Sequence, residues 1–158
     1  MRFVCDQMFG TLASWLRLLG FDTFYTIAKI TDEELLTIAS TEKRTLVTRD
    51  KELVYRARRK QIPVVYIDEK ELNNQLKKVL EQTEVHIENQ LVLTRCSICN
   101  GLLQPIEKNK VENMVPDHVF SCQEQFWQCM DCQKIYWRGT HYQKILSTIK
   151  KLKTEISS

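Results

Sequence analysis

The sequence of 158 residues predicts an α/β fold, with a parallel sheet in the first part of the chain and a small cysteine-rich module in the second. Strand and helix patterns alternate through residues 1–90 with short connections, and such alternation is typical of a parallel sheet covered by helices on both faces. Two Cys-x-x-Cys pairs follow within residues 91–158, a length at which a small module gains stability from a staple. These two ranges are the predicted domains.

Each predicted element has a local signal. Gly20 ends the first helix, and the run Thr31-Asp32-Glu33-Glu34 opens the second helix as a capping box. The other boundaries follow apolar runs and helical spacing. The predicted strands cover residues 2–5, 23–26, 45–48 and 64–67. The predicted helices cover residues 11–19, 51–60 and 69–82, with the second helix opening at Thr31 and burying Leu35, Leu36, Ile38 and Ala39.

Four of the six cysteines form two pairs with two residues between the sulfurs. One tight turn presents both thiolates of a pair, and two such turns complete the tetrahedral shell that a structural zinc ion requires. Two disulfides or four buried thiols are the alternative. The predicted ligands are Cys96, Cys99, Cys129 and Cys132, whereas Cys5 and Cys122 fall outside the pattern.

Acidic residues follow the strands at the edge where ligands of parallel sheets bind. Asp6 ends the first strand, Asp50 follows the third, and Asp32 begins a helix expected beside them. Each has another explanation, since Asp6 forms turns, Asp32 favours a helix start and Asp50 caps a helix. Carboxylates placed close together repel unless a divalent cation neutralises them, so the pattern also indicates an oxygen-liganded Mg²⁺ or Mn²⁺.

Three segments of the first half and four of the second together resemble one family. In the first half these are residues 6–20, 32–36 and 46–50, and in the second half they are residues 95–101 with Val115-Pro116, residues 129–132 and residues 136–141. In order and spacing they resemble the Mut-seven C-terminal RNase domain, a PIN-like nuclease domain followed by a zinc ribbon. The resemblance extends from about residue 2 to residue 146.

The resemblance implies a PIN-like three-layer α/β/α fold with a four-cysteine zinc ribbon. It also implies that Asp6, Asp32 and Asp50 hold one or two Mg²⁺ or Mn²⁺ ions that activate water for hydrolysis of RNA phosphodiester bonds. Glu33 and Glu52 are both candidates for a further acidic position, and the sequence does not decide between them.

Basic and aromatic residues near these sites suggest an RNA surface, although the net charge of only +3 gives no such indication by itself. A cationic segment follows the third strand, with a solvated helix face as the alternative. In the ribbon, aromatic side chains accompany cations, either to stack on unpaired bases or to form a core. The predicted RNA-binding residues are Arg49, Lys51, Arg56, Arg58, Arg59, Trp137, Arg138 and His141, with Lys60 in the same cationic segment.

The leading interpretation is therefore a metal-dependent ribonuclease acting on RNA, with single-stranded RNA expected. A non-catalytic protein whose ribbon binds RNA or another protein is the main alternative, and a PIN toxin-like nuclease controlled by a partner is a third. No secretory segment or apolar span of about 18 residues occurs, so a cytoplasmic location without membrane insertion is expected.

Overall fold

The first half of the computed structural model, which describes residues 1–157, alternates strands with helices. The strands are β1 (Arg2–Cys5), β2 (Asp22–Phe24), β3 (Thr45–Thr48) and β4 (Val64–Tyr66), and the helices are α1 (Gly10–Leu18), α2 (Asp32–Thr41), α3 (Lys51–Arg59) and α4 (Leu72–Thr83). This alternation confirms the predicted α/β class.

The four strands form one parallel sheet in the order β2-β1-β3-β4. The predicted parallel sheet is therefore confirmed, with β2 and β4 at its edges. Predicted bounds differ most at the start of α4, which begins at Leu72 rather than at residue 69; among the strands they differ most at β2, which ends at Phe24 rather than at residue 26. The chain turns there, because the Thr26 hydroxyl accepts a hydrogen bond from the Ala28 N–H at 3.0 Å.

Alternate side chains of the sheet enter two separate hydrophobic clusters. Phe3, Cys5 and Val47 belong to a first cluster with residues of α1 and α4. Val4 and Leu46 belong to a second cluster with residues of α2 and α3. Because successive side chains of a strand point to opposite faces, the sheet is buried on both faces, which explains its nearly continuous apolar strands.

Two predicted helix signals are present in the structure. Gly20 has a φ of +97°, and a Cβ atom there would lie 2.4 Å from the carbonyl oxygen of Leu91, so only glycine fits after α1. Thr31 and Glu34 form the capping box: the Thr31 hydroxyl accepts the Glu34 N–H at 3.1 Å, and the Glu34 carboxylate accepts the Thr31 N–H at 2.7 Å.

The second half contains an antiparallel sheet with its own small core. Its strands β5 (Leu103–Ile106), β6 (Phe126–Cys129) and β7 (Ile135–Trp137) lie in sequence order, and the short helix α5 (Asp117–Cys122) connects β5 to β6. A third cluster of five buried side chains packs against one face of this sheet, namely Val111, Val115, Val119, Phe126 and Ile135. We refer to residues 94–137 as the cysteine module.

The last helix, α6 (Thr140–Ser157), returns to the first half of the molecule. Its buried residues Ile145, Ile149 and Leu152 belong to the first hydrophobic cluster and pack beside α4. The predicted second domain, residues 91–158, includes this basic helix, and in the structure the apolar stripe of the helix packs on the parallel-sheet domain. None of the helices within residues 1–157 is long and apolar enough to cross a membrane.

Truncating the buried stripe of α6 tests this packing. Leu152 is fully buried, so we expect Leu152→Ala to lower the free energy of unfolding by about 2–5 kcal/mol through lost burial and an unfilled cavity. The matched control is Leu146→Ala in the same helix, whose side chain is 38% exposed. Urea unfolding measures both variants, and equal destabilisation would contradict the packing.

Candidate functional site

The structure brings the four predicted cysteine ligands into one cluster, in which all four sulfurs lie within 4.8 Å of one another. The Sγ atoms of Cys96 and Cys132 are 3.6 Å apart, and those of Cys99 and Cys129 are 3.3 Å apart. A disulfide requires about 2.05 Å. Tetrahedral zinc with Zn–S bonds of about 2.3 Å separates its sulfurs by roughly 3.8 Å, so the donor set and spacing fit zinc.

The two Cys-x-x-Cys turns have the same backbone geometry. The residue after the second cysteine has a positive φ in each turn, 72° at Asn100 and 69° at Gln133. In each turn its N–H donates to the carbonyl of the first cysteine, at 2.9 Å to Cys96 and 3.2 Å to Cys129. Two equivalent turns facing each other generate a closed four-sulfur shell.

Backbone N–H groups point at the sulfurs, an arrangement that stabilises thiolates. The Gly101 N–H donates to Cys99 Sγ at 3.4 Å, and the Asp131 N–H donates to Cys129 Sγ at 3.4 Å. A side chain at Gly101 would place its Cβ 2.8 Å from Cys129 Sγ. The turn therefore requires glycine at this position to keep its backbone close to the cluster.

The thiols of the cluster have opposing pKa shifts. Burial raises the pKa of Cys96, but hydrogen bonds from the Tyr136 hydroxyl and the Cys99 and Ile98 N–H groups outweigh burial and lower it to about 7. Burial raises the pKa of Cys99 to about 12 and also raises that of Cys132. Four thiolates in this space repel one another, and a bound dication removes that repulsion.

The first cysteine turn packs directly on the edge strand β2. The Asn100 Oδ1 accepts the Thr23 N–H at 3.0 Å, and its Nδ2 donates to Asp22 Oδ1 at 2.8 Å. The buried Arg17 guanidinium donates to the carbonyls of Ser97 and Ile98 at 3.2 and 3.0 Å. Sequence reasoning missed this interface, because a helix arginine and a turn asparagine are ordinarily exposed.

The carboxyl edge of the parallel sheet carries a second constellation, which we call the acidic edge: Asp6, Thr48 and Asp50. The Thr48 hydroxyl donates to Asp6 Oδ2 at 2.9 Å and accepts the Asp50 N–H at 3.1 Å. Thr48 is fully buried, whereas Asp50 is exposed. One hydroxyl therefore links two aspartates that follow the neighbouring strands β1 and β3.

Both aspartates also cap helices. Asp6 Oδ1 accepts the Gln7 N–H at 2.7 Å at the start of a short 3₁₀ turn. Asp50 Oδ1 accepts the N–H groups of Glu52 and Leu53 at 2.9 and 3.3 Å and caps α3. Capping and metal binding are compatible, because each carboxylate oxygen has more than one acceptor site and Oδ2 of Asp50 remains for another ligand.

Asp32 and Glu33 face two cations, Arg56 of α3 and Lys60 just after its end. Arg56 lies 3.7 Å from Asp32 and forms a short hydrogen bond to Glu33, while Lys60 is 3.1 Å from Glu33. Lys60 first and then Arg56 lower the pKa of the exposed Glu33. Within residues 1–157, the cysteines are the one group of three or more potential metal-binding side chains gathered this closely, so Asp6, Asp32 and Asp50 do not form such a group.

The basic residues near the acidic edge fall into two groups. Arg56 and Lys60 are paired with the acidic start of α2, whereas Lys51, Arg58 and Arg59 are exposed. Outside this helix, the Arg49 guanidinium donates to the Glu69 carbonyl at 3.0 Å and lies 5.8 Å from the Phe9 ring centre. Of these residues, the exposed Lys51, Arg58 and Arg59 are the ones available to a phosphate backbone.

The predicted ribbon residues have different environments. Trp137 is partly buried, with its ring edge-on to Phe126 at 6.5 Å between centroids. The exposed Arg138 guanidinium lies 5.1 Å from the Trp127 ring centre and 5.5 Å from that of Tyr142. His141 is exposed at the start of α6. Trp137 thus contributes to the module core, and Arg138 lies between two aromatic rings.

Comparison with models of protein families matched residues 1–149 to the Mut7-C RNAse domain. The match covers the acidic edge as well as the cysteine cluster, and it confirms the resemblance found in the sequence. Neither the comparison with curated proteins nor the comparison with solved structures gave a significant match.

The cysteine cluster predicts one zinc ion per chain in protein purified under reducing conditions. We expect Cys129→Ser to lose that zinc and the fold of the cysteine module, because three sulfurs no longer close the shell. Elemental analysis and circular dichroism measure both effects. Cys122→Ser is the control, since Cys122 is exposed and outside the cluster. Unchanged zinc content in Cys129→Ser would refute the assignment.

The contacts of Asp22 predict an acid-dependent contribution to stability. Burial raises the pKa of Asp22, but hydrogen bonds from Arg44 and Asn100 outweigh burial and hold it at about 2. An unfolded-state aspartate has a pKa of about 3.9, so the stabilisation is complete above that pH and is lost as the pH falls towards 2. Solvent reduces the size of this contribution to the free energy of unfolding, since the Asp22 side chain is 21% exposed.

The variant Asp22→Asn removes this titration. We expect its free energy of unfolding to fall less than that of the wild type between about pH 5 and pH 3. Urea titrations at each pH measure the difference. Asp117→Asn, at an exposed position in the cysteine module, controls for general acid effects, including loss of bound metal. Parallel pH profiles for Asp22→Asn and the wild type would exclude this contribution.

Proposed function

The chain belongs to the Mut7-C RNAse domain family, and from this membership we propose that it is a metal-dependent ribonuclease that hydrolyses RNA phosphodiester bonds. The observation that supports this proposal most is the acidic edge, where Thr48 joins Asp6 to the backbone of Asp50. In the proposal the parallel-sheet domain is a PIN-like three-layer α/β/α nuclease and the cysteine module is a zinc ribbon. Zinc is structural, because its four sulfur ligands leave no open position.

The proposed catalytic ion is Mg²⁺ or Mn²⁺, held by Asp6 and Asp50. Mg²⁺ usually binds through one or two carboxylates and completes its shell with water and substrate phosphate, so a pair of aspartates suffices. When bound, such an ion activates water and stabilises the leaving oxygen. The chain itself orients the ligands: the Thr48 hydroxyl fixes the Asp6 carboxylate, and the α3 N–H groups fix that of Asp50.

Glu52 is our choice for the further acidic position. It lies in the first turn of α3, two residues after Asp50, and its side chain is exposed. Both carboxylate oxygens of Glu33 are instead engaged with Arg56 and Lys60. Asp32 stays a proposed site residue because its carboxylate lies 3.7 Å from the Arg56 guanidinium. This contact holds Arg56 beside the start of α2.

RNA is the proposed partner, approached as a single strand. Lys51 lies beside Asp50 at the start of α3 and neutralises phosphate near the acidic edge, whereas the exposed Arg58 and Arg59 lie at the far end of this nine-residue helix and neutralise phosphates further along the strand. Arg138 and His141 are exposed beside the second sheet and extend the contact to the ribbon.

A non-catalytic RNA-binding protein is the second candidate, and one observation favours it. Asp6 and Asp50 already accept capping hydrogen bonds, and Asp32 pairs with Arg56, so all three aspartates also have structural partners. In that version the chain binds RNA through the same cations and does not cleave it.

Neutral variants of the acidic edge separate these two functions. Asparagine caps helices as well as aspartate does, so Asp6→Asn and Asp50→Asn are expected to keep the fold while losing the charge that binds the ion. We expect cleavage of labelled single-stranded RNA with Mn²⁺ to fall at least about 100-fold, since the ion contributes several kcal/mol to the transition state. RNA binding should persist.

Asp68→Asn is the matched control for these variants. Asp68 follows β4 at the same edge of the sheet but pairs with Lys78 at 3.7 Å. Cleavage by Asp50→Asn at the wild-type rate would refute its role. A wild-type protein that binds several RNAs but cleaves none with Mg²⁺ or Mn²⁺ would establish the second candidate instead.

A further inference from the structure

A cavity of about 200 Å³ lies where the cysteine module, the linker that precedes it (residues 84–93) and α6 meet. We infer that it is a binding subsite for one unpaired nucleobase of an RNA strand, an inference that rests on the proposed function for the identity of the ligand. Pockets for drug-sized ligands occupy about 300–1,000 Å³, so this cavity admits a single planar ring system rather than a larger molecule.

Two of the aromatic residues that line the cavity, Trp127 and Tyr136, point away from the core of the cysteine module, whereas Trp137 lines the cavity and also packs against that core. Trp127 and Tyr136 are direct cross-strand partners on β6 and β7, whereas their neighbours Phe126 and Ile135 point into the third hydrophobic cluster. Side chains alternate between the faces of a strand, so Trp127 and Tyr136 occupy the other face. Both are only partly buried and line the cavity.

One wall of the cavity is held rigidly. The Tyr136 hydroxyl contacts Cys96 Sγ at 3.0 Å and accepts the Ser97 N–H at 3.1 Å, which ties this ring to the cysteine cluster. A ring fixed before the ligand arrives loses little conformational entropy on binding. The stacking surface is therefore preformed.

Arg138 provides the cationic part of the subsite. Its guanidinium lies between the rings of Trp127 and Tyr142, at 5.1 and 5.5 Å from their centres, and the residue is exposed. Unpaired bases in RNA complexes stack on aromatic rings and on arginine planes, while arginine N–H groups bind phosphate. An aromatic cavity with an arginine at its mouth thus matches a base and its attached phosphate.

Gln90 of the linker and Thr94 at the start of the cysteine module offer hydrogen-bond acceptors to the edge of the base. Gln90 uses its Nε2 to donate to Glu88 at 2.9 Å, which leaves Oε1 as an acceptor. The Thr94 hydroxyl donates to the Leu91 carbonyl at 2.7 Å, so its oxygen can accept a further bond. Both residues line the cavity, and each of the four RNA bases carries an N–H donor for such acceptors.

The cavity lies at the opposite end of α1 from the acidic edge. The Leu93 N–H donates to the Leu18 carbonyl at 2.9 Å, which places the linker at the end of α1, whereas Asp6 precedes the start of that helix. A helix of nine residues is about 13 Å long. The bound base is therefore a few nucleotides away from the bond to be cut, and the subsite acts on affinity rather than on the chemical step.

An abasic scan tests the inference in the full-length, zinc-containing protein. A fluorescein-labelled single-stranded RNA of about ten nucleotides, with one base removed at each position in turn, is titrated without added divalent cation. We expect one position at which removal of the base weakens wild-type binding about tenfold or more, as a lost stacking contact does. Binding that is insensitive to every abasic position overturns the inference.

Variants connect that position to the cavity. Arg138→Gln and Tyr142→Ala are expected to weaken binding of the intact RNA and to abolish the effect of the sensitive abasic position. Lys108→Gln is the matched control, because Lys108 also lies over an aromatic ring of the module, Phe120, at 4.9 Å but outside the cavity. Zinc content and thermal unfolding verify the fold, and the exposed Arg138→Gln decides the test if Tyr142→Ala does not fold.

Two further comparisons complete the test. One distinguishes an RNA strand from a free nucleotide or sugar phosphate as the ligand, and the other distinguishes failure of the subsite from failure of the proposed nuclease. Competition by AMP as tight as that of the RNA would make the cavity a free-nucleotide site and overturn the inference, as would equal competition by ribose 5-phosphate. The assay does not require cleavage. A positive scan in a protein that cleaves no RNA supports the subsite and refutes the nuclease, whereas a flat scan in an active nuclease refutes the subsite alone.

Discussion

The contact between the first cysteine turn and the edge strand β2 is the interaction on which the arrangement of the molecule depends. An edge strand presents unpaired N–H groups, and here the Asn100 side chain accepts one of them from Thr23. The same turn supplies carbonyl oxygens to Arg17, which is only 4% exposed and needs acceptors for its buried charge. Each module therefore satisfies polar groups of the other, and the cysteine cluster fixes the shape of the turn that does so.

The contact has an ionic extension along the amino end of the sheet. Asp22 binds Asn100 through the same oxygen that lies 2.8 Å from Arg44, and Arg44 also reaches the Phe3 carbonyl of β1. Arg2 contacts the second oxygen of Asp22 at 3.2 Å. Removing one member of such a network leaves a partly buried charge unpaired, which costs more than the pair itself contributes. Folding of the cysteine module is thus coupled to the order of the sheet.

Local chemistry decides which features could be predicted from the sequence. The capping box at Thr31, the glycine stop at Gly20 and the two cysteine turns each depend on residues a few positions apart, and all are present in the structure. The alternating elements were predictable because the apolar pattern of each element records its own burial. These signals gave the fold class and the four sulfur ligands.

Contacts between distant segments were not predictable in the same way. The spacing of Ile145, Ile149 and Leu152 indicates an amphipathic helix but does not name the surface that it covers. Arg17 reads as an exposed helix residue until the cysteine turn is placed against it. Likewise, three aspartates at strand and helix ends do not reveal that Arg56 pairs with one of them. Each outcome depends on a partner more than 20 positions away.

Helix α1 connects the three functional regions. Asp6 lies before its start, Arg17 in its last turn holds the cysteine turn, and Gly20 after its end lies against Leu91 of the linker that borders the cavity. A Cβ at Gly20 would meet the Leu91 carbonyl at 2.4 Å, so the linker approaches the helix as closely as its backbone allows. With both ends fixed by such contacts, the helix sets the distance between the acidic edge and the aromatic cavity. In the proposed function, the length of this one helix therefore sets the spacing between the two places at which an RNA strand is bound.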